Sequence, residues 1–302
     1  AILKEPVWRT LKFVAWYLDL GTRHITLYFD DPDDAAIAIL KDHPKLTVVP
    51  CTPEFWSSIG SAPDKRFVKR QNAALGHAYR NQRDGWLLNV DCDELMYLES
   101  GSVEDLFKNT SPETRGIRIL PAERIQADCS GGTFFRMPMK RWMLREVYGE
   151  DAPKLARRQG LAGHTEGKSF TRAGLKSGWM RQHWMQDRDG NSFSDIVLGP
   201  EDGAYILHFF EEGFESWFAK KDWRINSRGF RPRLKNELAE IAASYDPEGG
   251  YREIYNALHL FDEAKLERLI AVGAGMRLDV DFEQCVKTHF PDHFRDAAAG
   301  IR

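Results

Sequence analysis

Trp86-Leu87-Leu88-Asn89-Val90-Asp91-Cys92-Asp93-Glu94 decides how this chain is read. A short apolar run of strand character breaks off into Asp91, Asp93 and Glu94. On an extended backbone residues two apart face the same side, so Asp91 and Asp93 are expected to point together. Paired carboxylates at the C-terminal end of a strand suit a hard divalent cation that also holds phosphate oxygens. The competing reading is an acidic turn that merely closes the strand. The elements on either side weigh between the two.

Upstream, Ala1–Leu3 reads as a short strand, Trp8–Leu20 as a helix with Leu11, Val14, Ala15 and Leu18 at helical spacing, and Ile25–Phe29 as a strand. Ala35–Lys41 reads as a helix, Leu46–Pro50 as a strand, Arg66–Asn81 as a helix and Gly85–Val90 as the strand that carries the acidic motif. Helix Val103–Lys108 and strand Gly116–Leu120 follow. This alternation predicts an α/β fold with a mostly parallel central sheet and helices on both faces. Residues 121–205 are rich in Gly and Arg, with short strand-like pieces such as Lys168–Thr171. Helical patterns return at Phe214–Lys221, Arg233–Ser244, Tyr251–Leu260 and Glu263–Val272, with a turn at Asp246–Gly250. The organisation expected is a catalytic domain over 1–225 and a helical C-terminal extension over 226–302.

At 302 residues, with 42% hydrophobic and 29% charged residues, the chain can build a soluble globular core. Its 18 Phe, 9 Trp and 9 Tyr fit core packing first and ring stacking second. A net charge of −3 offers nothing to a nucleic-acid partner. Cys51, Cys92, Cys129 and Cys285 are scattered without a C-x-x-C pair, which disfavours zinc and disulfide frameworks and suits a reducing compartment. No apolar run reaches the ~18 residues of a membrane span, and no secretory leader pattern is read.

Four segments carry a family resemblance. Phe13-Val14-Ala15-Trp16-Tyr17-Leu18-Asp19-Leu20-Gly21 is similar to a "W-x-x-x-H/Y-x-x-L-G" helix. Tyr28-Phe29-Asp30-Asp31 ends the second strand, and Asn89-Val90-Asp91-Cys92-Asp93-Glu94 is similar to "D-x-D-E-F". His208-Phe209-Phe210, followed by Ser216-Trp217-Phe218-Ala219-Lys220-Lys221, is similar to "H-Y-x-x-K-S-x-E-E-F-x-x-K". Together, over roughly residues 1–225, they resemble bacterial GT-A glycosyltransferases of family 2, which have a Rossmann-like fold. The chain departs from that pattern at Lys4-Glu5 for "K-N-E", at Leu95 for the aromatic after "D-x-D-E", and at Ala127–Gly132 for "F-G-S-x-G".

The resemblance implies transfer of a sugar from a nucleotide diphosphate sugar, a UDP-sugar first, to a hydroxyl of a glycan or glycolipid, with inversion, in surface polysaccharide synthesis. It implies Mn²⁺ or Mg²⁺ as cofactor. One of Asp91 and Asp93 then meets the ribose, or the metal through water, the other binds the metal directly, and His208 is a third metal ligand. Asp30 or Asp31, past a strand end, is placed to accept a hydrogen bond from a uracil-like N–H, while Asp33 or Asp34 caps the next helix. Lys69 and Arg70 can reach a diphosphate or simply form a solvated helix face. Lys168 and Arg172 match a family-like "K-S-x-x-R" strand with the same choice. His183 and His164 can contact diphosphate or substrate, or be ordinary surface histidines. Glu123 and Asp128 are the candidates for the base on the acceptor side. Trp142, Trp179 and Trp184 are core or rim packing first, and sugar platforms second.

Two other readings compete. One is a haloacid-dehalogenase-type phosphotransferase, which also places D-x-D after a strand. The other is a degenerate glycan-binding module without activity. For residues 226–302 plain packing is expected ahead of homodimerisation or contact with a membrane surface, where Arg224, Arg228, Arg231 and Arg233 would face an anionic acceptor or lipid. The location expected is cytoplasmic, peripheral at the inner membrane face if the acceptor is a lipid.

Overall fold

The computed structural model describes residues 1–127, 132–210, 213–226 and 232–294, leaving out the side chains of residues 223, 224 and 226. The chain divides into two compact units. The first comprises Ala1–Leu120, Glu166–Ile206 and Asp281–Arg302, the second Pro121–Thr165 and Leu207–Val280. Of residues 226–302, those up to Val280 belong to the second unit and those from Asp281 to the first.

The first unit opens with β1 (Ile2–Leu3), α1 (Val7–Asp19), β2 (Ile25–Phe29), α2 (Ala35–Leu40) and β3 (Leu46–Pro50). The three strands pair in parallel, Ile2 beside Tyr28 and Ile25 beside Leu46. The predicted stripe Leu11, Val14, Ala15 and Leu18 is the buried face of α1. Asp34 caps α2, accepting the N–H of Ala36 at 2.8 Å. Next come α3 (Pro53–Ser58), which the sequence reading lacks, and α4 (Phe67–Asn81). Ile2, Tyr28, Cys51, Trp56 and Ala74 close a core between these elements.

The strand before the acidic motif, β4 (Trp86–Leu88), is shorter than predicted. No crossover follows it. The Glu94 N–H donates to the Asp91 carbonyl at 3.0 Å, turning the chain directly into β5 (Glu94–Leu98). The acidic motif is therefore a turn between two strands, and the alternation rule of extended chain does not apply to Asp91 and Asp93. The helix α5 (Val103–Lys108) and the strand β6 (Gly116–Ile119) then complete this stretch.

The chain continues into the second unit with β7 (Pro121–Arg124), β8 (Gln126–Ala127), β9 (Thr133–Arg136), α6 (Arg141–Tyr148) and α7 (Ala152–Leu155). It re-enters the first unit for β10 (Lys168–Arg172), β11 (Trp179–Met180), β12 (Met185–Gln186) and β13 (Ile196–Leu198). The next strand, β14 (Ala204–His208), ends with Leu207 and His208 in the second unit. There α8 (Phe214–Ala219), α9 (Lys221–Asn226), α10 (Pro232–Ala242), α11 (Pro247–His259), β15 (Leu260–Phe261), α12 (Glu263–Ala271) and β16 (Gly275–Leu278) follow. Last, α13 (Phe282–His289) lies in the first unit against α1, with the Phe282 and Trp16 rings 5.5 Å apart.

The protein is thus α/β, but its sheets are mixed where one mostly parallel central sheet is expected. In the first unit the order β13-β6-β10-β4 combines a parallel β13–β6 pair with a β10 that is antiparallel to both β6 and β4. The segment that supplies β10 reads as irregular in sequence, and hydrophobic periodicity does not report strand direction. In the second unit β7, β9 and β16 are antiparallel neighbours, and helices bury Trp217, Leu238, Tyr255 and Leu269 in one cluster with Phe261. The turn expected at 246–250 opens α11 instead: the Asp246 carboxylate accepts the Gly249 N–H at 3.0 Å, and Pro247 occupies the first turn. No helix among the described residues is long and apolar enough to cross a membrane.

Candidate functional site

In the first unit the acidic turn is the centre of a polar network. The adjacent strands β4 and β10 set Phe170 beside Leu88, so Asn89 and Asp91 emerge next to Lys168. The Lys168 ammonium, 1% exposed, donates to Asp91 Oδ2 at 2.6 Å and to the Gln182 carbonyl at 3.0 Å, and lies 3.0 Å from Glu94 Oε2. Burial disfavours its charge, but the Asp91 and Glu94 carboxylates more than offset this and raise its pKa. Gln71, buried on α4, donates to Asp91 Oδ1 at 2.6 Å and accepts from Gln182 at 2.8 Å. The Asp91 N–H donates to Glu94 Oε2 at 2.9 Å, which closes the turn from its other side. From α1, Tyr17 donates to the Glu94 carbonyl at 3.0 Å and Trp16 to the Met96 carbonyl at 2.8 Å, fixing the start of β5.

One residue earlier on α4, Arg70 grips Asp30 at the end of β2 through a two-pronged ion pair, with Nε to Oδ1 at 2.9 Å. Its guanidinium also donates to the carbonyls of Pro63 and Lys65. The consecutive residues Arg70 and Gln71 therefore hold the carboxylates that end β2 and β4, bringing four of the predicted residues, Asp30, Arg70, Asp91 and Lys168, into one linked array. Asp31 is half-exposed, 3.5 Å from Lys4, and Lys69 is exposed. Arg172 does not join the array. It donates to the carbonyls of Thr114 and Ser111 at 2.6 and 2.8 Å and stacks over Trp86, which makes it a clamp on the loop before β6. His183 pairs with the Gly167 carbonyl at 2.9 Å, and Trp184 packs under Arg118. Asp93 sits half-buried at the turn.

Glu123, His164 and His208 belong to the second unit. Glu123 departs from the role of acceptor base. It lies opposite Arg136 in the β7–β9 register, and both are 1% exposed or less. Arg136 Nε donates to Glu123 Oε1 at 2.9 Å, and the N–H groups of Ala162 and Gly163 reach its two oxygens at 2.9 and 2.5 Å. Burial pushes the Glu123 carboxyl up, but Arg136, His208 and these bonds together hold it at about 2. A base needs a pKa near the working pH, so Glu123 is an anchor. Beside it the His164 and His208 rings lie 5.0 Å apart. A Cβ on residue 163 would stand 2.8 Å from His208 Cε1 and 2.9 Å from Glu123 Oε2, so a larger residue there would push on both side chains. Trp142 is exposed on α6. Asp128 lies outside the described residues, as do Arg228 and Arg231 and the Arg224 side chain.

Sequence reasoning passes over Gln71, Gln182, Asn89 and Arg136. Gln71 leaves one faint signal, a polar residue on the helix face that also buries Ala74 and Leu75. Asn89 stands inside the motif itself, and its amide donates to the Arg181 carbonyl at 2.6 Å. Each Asp91 oxygen accepts one bond, which leaves a lone pair on each, and the side chain is 37% exposed. Asp91 and Asp93 carry hard carboxylate oxygens, the donor type that Mg²⁺ and Mn²⁺ take. Neither the protein-family models nor the curated proteins contain a match to this chain.

Proposed function

We propose that the protein is a metal-dependent glycosyltransferase of GT-A type, moving a sugar from a nucleotide diphosphate sugar, a UDP-sugar first, to a hydroxyl of a glycan or glycolipid. The observation that carries this reading is the pair of strand-end carboxylates, Asp30 and Asp91, held by neighbouring residues of α4. Ligands of open α/β sheets gather at such carboxyl ends. The parallel β1–β2–β3 sheet with its connecting helices supports the GT-A assignment, and the mixed β13-β6-β10-β4 sheet is a departure from it.

The roles divide by availability. Asp31, half-exposed at the end of β2, is the better acceptor for a base N–H, because Asp30 is spent on Arg70. Asp93 and the open lone pairs of Asp91 would hold the cation. Bound there, it would neutralise the leaving diphosphate, the electrostatic assistance this chemistry needs. Lys168 is too deeply buried to meet substrate, and with Gln71 it fixes the direction of the Asp91 carboxylate. Lys69, exposed one residue before Arg70, is the cation left for the diphosphate. Such a donor places the reaction in the cytoplasm, at the inner membrane face for a lipid acceptor.

The test is a thermal-shift screen of nucleotide sugars with and without Mn²⁺. Ligand at ~100 times its Kd adds about 2.7 kcal/mol to the folded state, a shift of several degrees. Wild type should show this with one nucleotide class and only with metal, whereas Asp93→Ala should keep its unliganded melting temperature and lose the shift. A folded Asp93→Ala variant with an undiminished metal-dependent shift removes the metal site from the proposal.

A further inference from the structure

The first unit also contains a cleft of about 790 Å³ between α4 and the β11–β12 hairpin. That volume is within the ordinary range for small-ligand sites, ~300–1,000 Å³. Its frame is fixed. Leu75 and Tyr79 of α4 pack against Met180, Met185 and Phe193 beneath the hairpin. Gly178 has φ +147°, and a Cβ on it would meet Met185 and Phe193 at 2.9 Å, so the strand entry is pressed onto this core. The hairpin turn is tied down through the Arg181 carbonyl, which accepts from Asn89.

The lining has a consistent chemistry. Arg80, Lys176, Arg181 and Arg188 are all exposed at its wall, and none makes an ion pair among the described residues. The acid present, Asp187, is occupied by the N–H groups of Asp189 and Asn191 and by the Asn191 amide. Trp179, 49% exposed, offers a flat apolar face on the same wall. Four cations without ion-pair partners among the described residues and an open indole form a site for a ligand with several anionic groups and a ring face.

We infer that this cleft binds an acidic oligosaccharide, one whose sugars bear carboxylate or sulfate groups. The cations take the anionic groups, and Trp179 stacks on a sugar face. A single-stranded nucleic acid also has charge and rings. It is bound on rows of aromatic residues in a basic groove, whereas this cleft offers one exposed ring on a chain of net charge −3.

The experiment is isothermal titration of the full chain in EDTA without nucleotide, using oligogalacturonate, a heparin-derived hexasaccharide, neutral maltohexaose and a single-stranded oligonucleotide. One or both acidic saccharides should bind saturably, more weakly as salt rises, and the neutral one should not bind. Arg188→Ala and Trp179→Ala should each weaken binding about tenfold, the worth of one charged contact or one ring platform. Lys45→Ala, an exposed charge elsewhere on this unit, should change it by less than about twofold. The inference is overturned by acidic saccharides that fail to bind, by equal binding of maltohexaose, by tighter binding of the oligonucleotide, or by cleft variants that bind like wild type. Because metal and nucleotide are absent, its failure is separate from failure of the transferase reading, which shows in the Mn²⁺-dependent shift.

Discussion

Replacing Arg136 with Met removes the guanidinium that faces the buried Glu123. Breaking a buried pair from one side costs about 3–5 kcal/mol. The same substitution takes donors from the Tyr148 hydroxyl, at 2.7 Å, and the Leu258 carbonyl, at 2.6 Å. Each buried group left without a partner adds about 1–3 kcal/mol, so Arg136→Met should lose at least about 5 kcal/mol at pH 7 in a urea titration followed by circular dichroism. The pH dependence has a defined sign. Glu123 is held at about 2 against an ordinary 4.5, so its contribution is complete above pH 4.5 and fades as pH falls towards 2. At 1.36 kcal/mol per unit this is about 3 kcal/mol in full, of which about 2 kcal/mol is lost by pH 3, so the gap between wild type and variant should narrow by about 2 kcal/mol or more between pH 7 and pH 3. The double variant Glu123→Leu/Arg136→Met carries no charge at this buried pair. It still strands the N–H groups of Ala162 and Gly163 together with Tyr148 and Leu258, and should remain about 4 kcal/mol or more below wild type. A double variant as stable as wild type, or a single-variant loss under about 1 kcal/mol, would refute the anchoring role argued from these bonds.

Gly163→Ala forces a Cβ against His208 and Glu123 and should cost about 1–3 kcal/mol by overpacking, read from the urea midpoint; an unchanged midpoint would mean that the two side chains yield freely. Gln71→Ala removes the amide that orients Asp91 and orphans Gln182. It should destabilise the protein by about 1–2 kcal/mol and weaken Mn²⁺-dependent nucleotide binding by about tenfold in calorimetry. Wild-type affinity in that variant would leave Asp91 without a need for orientation.

What the sequence discloses and what it hides separate along physical lines. Local rules carry well. Asp34 caps α2, and the α1 stripe at Leu11, Val14, Ala15 and Leu18 is buried, because capping and helical periodicity depend on residues within one or two turns. Asp91 stands out because it ends an apolar run. Glu123 is different. Whether a carboxylate after a strand is a base or an anchor depends on what lies opposite, and Arg136 becomes its partner only through the β7–β9 register. Strand direction is equally non-local. Lys168 shares a network with Asp91 because β10 runs antiparallel to β4, a pairing across 77 residues of sequence. The acidic turn itself is misread as extended chain because its closing bonds, between Asp91 and Glu94, have no signature in residue type.

The packing of α13 on α1 has a consequence for synthesis. Cys285 and His289 donate to the Asp19 carboxylate at the end of α1, and Cys285 follows Asp19 by 266 residues. At ~5–20 residues per second, roughly 13–53 s pass between translation of that helix end and translation of its cover. During that interval Trp16 has no Phe282 beside it, and the first unit cannot be completed however well its earlier strands pair. The nascent chain thus waits with an apolar flank open, and any folding helper that acts on it is needed most before α13 emerges.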